Sequence, residues 1–160
     1  MTEFVTMNEE ELKNLKDFAA PIWRECYEGV VTAEHTEMLI EKYFDYENIK
    51  KFSAEGMIYQ SIVRNGAKAG FIAFCLADTY LYLDKLYLLK EYRGQHISTE
   101  TFKYLSEKYG LPLRLNVNCG NEQAIRAYKG NGFEIIAKEE IPQKGGFVNC
   151  DYVMERPVIF

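Results

Sequence analysis

The sequence lacks the segments that carry a protein into or across a membrane. Its longest apolar runs, such as residues 70–77, are too short to span a bilayer. The first residues, Met1–Phe4, have neither the basic nor the apolar region of a signal peptide. We therefore expect a cytoplasmic protein that has no membrane partner.

Positive charge is also scarce. Lys and Arg total 19 against 24 Asp and Glu, which gives a net charge of −5 and a pI near 5.2. A nucleic-acid-binding domain normally has a basic patch, so we expect no nucleic-acid partner. An acidic protein is compatible with a cationic small substrate.

Metal-binding and disulfide patterns are missing. The chain has two histidines and four cysteines, and no two cysteines form a C-x-x-C pair. We therefore expect no metal site. The cysteines, which we interpret as incidental thiols in a reducing compartment, are Cys26, Cys75, Cys119 and Cys150.

The chain has enough hydrophobic residues to form a folded core. The chain has 160 residues, 48% of them hydrophobic, and no repeat or Pro/Gly/Ser-rich linker divides it. This length and composition predict a single domain over residues 1–160.

Helical signals dominate the first third, after a short edge strand at residues 3–6. Asn8 precedes three glutamates, which is typical of a capped helix start, and Thr32 is a second candidate N-cap. Pro21 is expected to interrupt the first helix. Further helical pieces are expected up to Phe52.

Strand signals follow. Residues 57–64 and 70–77 flank Asn65-Gly66, a hairpin signal, and residues 80–89 form the next strand. A helix over residues 97–109 separates that strand from residues 113–118, so the two strands should run parallel. A helix capped by Asn121 and two strands, at residues 133–137 and 148–154, complete an α+β fold with a mostly antiparallel sheet.

The passage from strand to helix at residues 86–98 is a candidate anion site. It begins as an apolar run, turns at Arg93-Gly94 and opens into the helix. Unpaired N–H groups and the helix dipole attract phosphate at such a helix start.

These segments together resemble the GNAT (Gcn5-related N-acetyltransferase) superfamily. The resemblance runs from Tyr80 to Met154 and is most specific at Asn121-x-x-Ala124-Ile125-x-x-Tyr128-x-x-x-Gly132-Phe133. It implies that the central parallel strands splay apart and that helices cover both faces of the sheet. It also implies an acetyl-CoA-dependent N-acetyltransferase in which a primary amine of a small molecule or peptide attacks the thioester directly. The alternative is a GNAT-fold acyl-CoA-binding or regulatory module with weak or lost catalysis.

The resemblance assigns the cofactor to the strand end, the loop and the second half of the chain. The residues that it implies for acetyl-CoA binding are Leu86, Tyr87, Leu88, Arg93, Gly94, Gln95, His96, Ile97, Ser98, Asn118, Asn121 and Tyr128. A homodimer, with the last strands as contact edges, is a further expectation.

Several of these residues also have simpler interpretations. Tyr128 is the expected acid that protonates the leaving thiolate, since its ordinary pKa is about 10, but it could be a packed helix residue. Asp84 is either the general base or an ordinary partner of Lys85 or a neighbouring strand residue. Trp23 and Tyr27 lie where the acceptor site is expected, or belong to the core.

The loop departs from the family pattern Arg/Gln-x-x-Gly-x-Gly/Ala. His96 and Ser98 occupy its two later small positions, and Glu100 stands where basic residues are usual. Glycine at such positions lets the backbone approach a pyrophosphate closely. We expect Ser98 to be compatible with a phosphate, and His96 to contribute a positive charge if it is protonated.

Overall fold

The structure is a computed structural model, and it describes residues 1–142, 144–146 and 148–158. The helices and strands, in chain order, are β1 (Thr2–Thr6), α1 (Glu9–Lys13), α2 (Leu15–Tyr27), α3 (Ala33–Phe44), α4 (Tyr46–Ala54), β2 (Ile58–Arg64), β3 (Ala67–Leu76), β4 (Leu81–Leu88), α5 (Ile97–Tyr109), β5 (Leu113–Asn118), α6 (Glu122–Gly130), β6 (Glu134–Pro142) and β7 (Val148–Arg156). Short 3₁₀ helices cover Lys90–Tyr92 and Lys144–Gly146. Among the described residues, none of the helices is long and apolar enough to cross a membrane.

The seven strands follow the order β1-β2-β3-β4-β5-β7-β6. β4 and β5 run parallel, with Leu81 opposite Leu113 and Tyr82 opposite Arg114. β1 with β2, β2 with β3, β5 with β7, and β6 with β7 pair antiparallel. The predicted α+β fold with one central parallel pair is confirmed.

By its contacts the chain divides into two compact units, and β4 contributes to both. The first unit comprises Met1–Cys75 and Lys85–Ile97. Its core packs α2, α3 and α4 on β2 and β3 and is rich in aromatic rings. Fully buried members are Leu15, Phe44, Ile49 and Phe71.

The second unit comprises Leu76–Asp84 and the chain from Ser98 onward. Its buried side chains come from α5, β5, the start of β6 and β7, and include Phe102, Leu105, Leu113, Phe133 and Met154. In β5, buried Leu113, Leu115 and Val117 alternate with half-buried residues. This alternation is the mark of a strand with one face in the core.

The caps of the first helices form as their residue types predict. The Asn8 side chain accepts a hydrogen bond from the Glu11 backbone N–H, and the Glu11 carboxylate accepts one from Asn8 N–H, a reciprocal capping box. Thr32 Oγ1 accepts from the His35 backbone N–H at 3.0 Å.

The predicted interruption at Pro21 is wrong. The break falls at Asn14, between α1 and α2, and α2 continues through Pro21 to Tyr27. Proline removes one backbone donor, but the buried face of α2 on either side of it packs into the core. Tertiary packing therefore outweighs the local helix-breaking tendency.

The turn between β2 and β3 and the contact between β3 and β4 are both set by glycine. Asn65 and Gly66 have φ values of 51° and 83°, as the predicted two-residue hairpin requires. A Cβ on Gly70 of β3 would lie 2.1 Å from the Tyr87 carbonyl oxygen and 3.0 Å from the Leu88 Cα. The end of β4 approaches β3 so closely that only glycine fits.

Candidate active site

In the first unit an aromatic cluster joins α2 to the end of β4. The Trp23 ring lies 5.3 Å from the Tyr27 ring and 5.3 Å from the Tyr87 ring, centroid to centroid. The Tyr27 and Tyr87 hydroxyl oxygens are 3.1 Å apart. Trp23 is 4% exposed, whereas both tyrosines are half-buried. Trp23 is thus a core side chain, and the two tyrosine hydroxyls are the polar part of the cluster.

A buried lysine lies against the same cluster, and sequence reasoning missed it. Lys85 is 3% exposed, and its Nζ lies 4.7 Å from the centre of the Tyr43 ring and 5.7 Å from that of Phe44. The faces of aromatic rings attract cations, so these rings stabilise the ammonium group in the core. The signal was present in the sequence, because Lys85 occupies the inward-facing position after Leu81 and Leu83.

The loop from β4 to α5 makes its turn with two left-handed residues. Gly94 has a φ of 76° and His96 a φ of 64°. The Gln95 side chain donates to the Glu91 carbonyl at 2.8 Å, which closes the loop on itself. Ile97 is buried and begins α5, followed by half-buried Ser98. The first N–H groups of a helix have no partner within the helix, so this loop leads into an anion-attracting helix start.

Arg93 is held in place by its own unit. Its Nε donates to the Leu88 carbonyl at 3.1 Å, one terminal nitrogen forms an ion pair with Glu25, and the other lies 3.7 Å from Cys26 Sγ. Glu25 belongs to α2, so this ion pair fixes the end of β4 to that helix. Sequence reasoning placed Arg93 with the cofactor phosphates and did not identify Glu25.

The alternation along β4 follows the expected period of two. Leu81, Leu83 and Lys85 are buried, whereas Tyr82, Asp84 and Leu86 are half-buried. Asp84 therefore lies on the opposite face of the strand from Lys85. Tyr87 and Leu88, at the end of the strand, are half-buried as well.

In the second unit, a tight turn connects β5 to α6. The Asn118 side chain accepts from Gly120 N–H at 2.9 Å, and the Asn118 carbonyl accepts from Asn121 N–H at 2.9 Å. Asn121 in turn caps α6 by accepting from Ala124 N–H at 3.2 Å. The structure thus brings the predicted residues Asn118 and Asn121 into one turn.

Tyr128 projects from α6 into an aromatic group. Its ring centre lies 5.6 Å from that of Phe133 and 6.1 Å from that of Phe102. The side chain remains half-buried. Its ring is thus packed on one side, which fixes the direction of the phenol.

A polar network on β5 and its neighbours was not anticipated as a unit. Tyr82 donates its hydroxyl to Asn116 Oδ1 at 2.9 Å, and Asn116 Nδ2 donates to Asp151 at 3.2 Å and to Glu139 at 3.5 Å. Burial raises the pKa of Asp151; the Asn116 hydrogen bond opposes this and the charge of Glu139 adds to it. Alternating polar residues Arg114, Asn116 and Asn118 on β5 are the signal that points to this face.

A known protein family matches most of the chain. The model of the acetyltransferase (GNAT) family matches residues 17–133. This chain belongs to the GNAT acetyltransferase family. The matched range takes in every site residue that the sequence predicted. The chain is accordingly an acetyl-CoA-dependent N-acetyltransferase that acts on an amine, as its motifs predicted.

Individual relatives agree with this family. The GNAT chain is 27% identical over 156 residues to a spermidine N(1)-acetyltransferase of Thermoplasma acidophilum, with 92% of this chain and 91% of that protein covered. The PaiA N-acetyltransferase of T. acidophilum, crystallised with coenzyme A, has the same fold at a TM-score of 0.75 and 22% identity, covering 98% of this chain and 99% of that one. The ribosomal-protein-S18-alanine N-acetyltransferase of Escherichia coli matches at a TM-score of 0.69 and 17% identity, covering 100% and 96%.

The backbone of this GNAT chain fits a phosphate-bearing co-substrate. Gly94 and His96 adopt left-handed angles that only glycine takes up without strain, and His96 stands where the family pattern has glycine. His96 thus takes up the backbone conformation that a glycine at this position would adopt without strain.

Proposed function

We propose that this N-acetyltransferase acetylates a primary amine of a small, linear polyamine. The supporting observation is the set of half-buried tyrosines in the first unit, Tyr27, Tyr43 and Tyr87, which surround the core side chain Trp23. Aromatic rings of this kind attract the ammonium groups of a polyamine. The similarity to a spermidine N(1)-acetyltransferase supports the same acceptor class.

We assign each part of the cofactor to a different segment of the chain. The backbone N–H groups after His96 take the pyrophosphate at the start of α5. Arg93, which is paired with Glu25, precedes them in the loop. The end of β4, from Leu86 to Leu88, offers backbone partners to the pantetheine arm. The turn with Asn118 and Asn121 orients the start of α6, which carries Tyr128.

We assign the proton transfers to two side chains. Acetyl-CoA supplies the acetyl group as an activated thioester. Tyr128 donates its phenolic proton to the departing sulfur, and Asp84 accepts the proton of the attacking amine. Asp151 is a second candidate for the base, because its raised pKa brings it closer to the working pH.

An acceptor panel tests the proposal. Spermidine, a diamine, a monoamine and a peptide with a free N-terminus are each incubated with acetyl-CoA, and product is detected by mass spectrometry. We expect the highest kcat/KM for spermidine. A peptide or monoamine that reacts as well as spermidine would contradict the polyamine assignment.

The base is tested with a matched pair of variants, Asp84→Asn and Asp151→Asn. We expect Asp84→Asn to lower kcat by about 100-fold or more and Asp151→Asn to lower it much less. The reverse order of effects would transfer the role of base to Asp151.

The assembly and location are also proposals. We propose that residues 1–160 act as one catalytic domain, because the family match takes in residues of both units. We further propose a homodimer through the edge strand β6, all of whose residues are exposed, among them Ile135, Ile136 and Ile141. Light scattering of the eluted protein tests the dimer: a monomer mass would reject it. A cytoplasmic location stays a prediction for cell fractionation to check.

A further inference from the structure

Two of the four cysteines lie in contact, although they are far apart in the sequence. Cys119 Sγ and Cys150 Sγ are 2.7 Å apart, and both side chains are half-buried free thiols. Cys119 directly follows β5, and Cys150 is in β7. Sequence reasoning treated both as incidental thiols.

The strand register makes this contact a property of the fold. Asn118 pairs with Asp151, so Cys119 and Cys150 are the next opposed residues, and the Cys119 N–H donates to the Cys150 carbonyl at 2.9 Å. Opposed residues of this hydrogen-bonded type have Cα atoms about 5.5 Å apart, within the range of about 4.4–6.8 Å that a disulfide spans. The bond can therefore form without moving the strands.

We propose that Cys119 and Cys150 are a reversible redox-modification site, which a low-molecular-weight disulfide oxidises to an intramolecular disulfide. The Cys150 thiolate attacks one sulfur of the oxidant, its S–S bond breaks and one thiolate leaves. The Cys119 sulfur then attacks the mixed disulfide at Cys150 and releases the second thiol. Two electrons pass to the oxidant, and the two protons lost by the cysteines end on the two released thiols.

The order of attack follows from the surroundings of the two thiols. Burial, together with the hydrogen bond to Cys150 and its charge, raises the pKa of Cys119 to about 11. We therefore assign the second attack to Cys119, whose proton then passes to the departing thiolate. Thiolates react and thiols do not, so oxidation should be faster at alkaline than at neutral pH.

The bond would act on the start of α6. Cys119 lies between Asn118 and Gly120, in the turn whose side-chain and backbone hydrogen bonds lead to the Asn121 cap. A covalent link from this turn to β7 restricts its motion. We expect this restriction to lower turnover, an expectation that rests on the proposed roles of Asn121 and Tyr128.

The bond itself is tested on the whole protein with oxidised glutathione. The wild type should lose the mass of two hydrogen atoms and two of its four reactive thiols, and peptide mapping should join Cys119 to Cys150. A reductant should restore both readouts. Cys150→Ser should lose the intramolecular bond, whereas the matched control Cys75→Ser should keep it. Four thiols that stay reactive at alkaline pH, or a bond between other cysteines, would overturn the proposal.

The effect of the bond is measured separately, after the oxidant has been removed. The unfolding midpoint of the oxidised protein should rise by about 5–10 °C, because the link closes a long loop. Turnover should fall several-fold and return on reduction, and Cys150→Ser should show neither change. If the disulfide forms but turnover does not change, the regulatory effect is rejected and the modification site is still supported. A chain that forms the bond but acetylates no amine even when reduced contradicts the proposed function instead.

Discussion

At the scale of single residues, His96 both departs from the family pattern and has a left-handed backbone. Its φ of 64° lies in the left-handed region, which costs an L-residue about 1–2 kcal/mol. Histidine tolerates this region better than most side chains do. The strained position is also the one where the family pattern has glycine.

Replacing His96 with glycine should therefore relieve the strain. We expect His96→Gly to stabilise the protein by about 0.5–1 kcal/mol and to lower the acetyl-CoA Kd, since no Cβ then stands near the loop backbone. Denaturant unfolding and calorimetric titration measure the two effects. His96→Ala is the matched control, because it removes the ring and keeps the Cβ, and it should improve neither. If both variants weaken binding equally, the imidazole itself contacts the phosphates.

Tyr128 offers a second residue-level prediction. Tyr128→Phe keeps the ring that packs against Phe102 and Phe133 and removes only the hydroxyl. Loss of a general acid should lower kcat by about 100-fold or more, while the unfolding midpoint and acetyl-CoA Kd stay near the wild-type values. An unchanged kcat would leave Tyr128 as a packing residue.

At the scale of secondary structure, the close approach of β3 and β4 controls the position of the end of β4. A Cβ at Gly70 would clash with the Tyr87 carbonyl at 2.1 Å, and neither atom can move without shifting a strand. We expect Gly70→Ala to destabilise the protein by about 1–3 kcal/mol and to weaken acetyl-CoA binding.

Gly130→Ala is the control for that substitution. Gly130 ends α6, and a Cβ there would meet no atom within 4 Å. This change should be neutral or stabilising by up to about 1 kcal/mol. If urea unfolding finds Gly70→Ala as stable as Gly130→Ala, the clash at β3 is relieved without cost.

The same scale shows what the sequence could predict. Local signals placed α5 at its observed bounds, since apolar spacing and Gly110, with a φ of 64°, define its end. The prediction of a helix break at Pro21 was wrong, because the packing of α2 outweighs the loss of one hydrogen bond. Motif spacing predicted candidate site residues, which stay a prediction. It could not show that Glu25, 68 positions away, holds Arg93, because such pairing depends on the tertiary fold.

At the scale of the whole molecule, buried His35 and half-buried Asp151 shape how stability depends on pH. His35 is 3% exposed, and burial lowers its pKa below the ordinary value of 6.5. The unfolded chain therefore binds a proton at His35 before the folded protein does. The stability that neutral His35 contributes is present above about pH 6.5 and is lost as the pH falls through that value towards the folded pKa. The pKa of Asp151 is raised in the folded protein, so its effect on stability is opposite to that of His35. Acidification through the pKa of Asp151 stabilises the folded state.

We therefore expect the free energy of unfolding to fall between pH 7.5 and pH 5, to an extent that depends on His35. His35→Gln replaces the ring with a polar side chain that does not titrate, so its unfolding free energy should change less over this range even if it is lower throughout. His96→Asn removes the exposed histidine, keeps a residue that tolerates left-handed angles, and should retain the wild-type slope. Urea midpoints at the two pH values give both slopes. If His35→Gln keeps the wild-type slope and His96→Asn loses it, the pH response originates in the loop and not in the core.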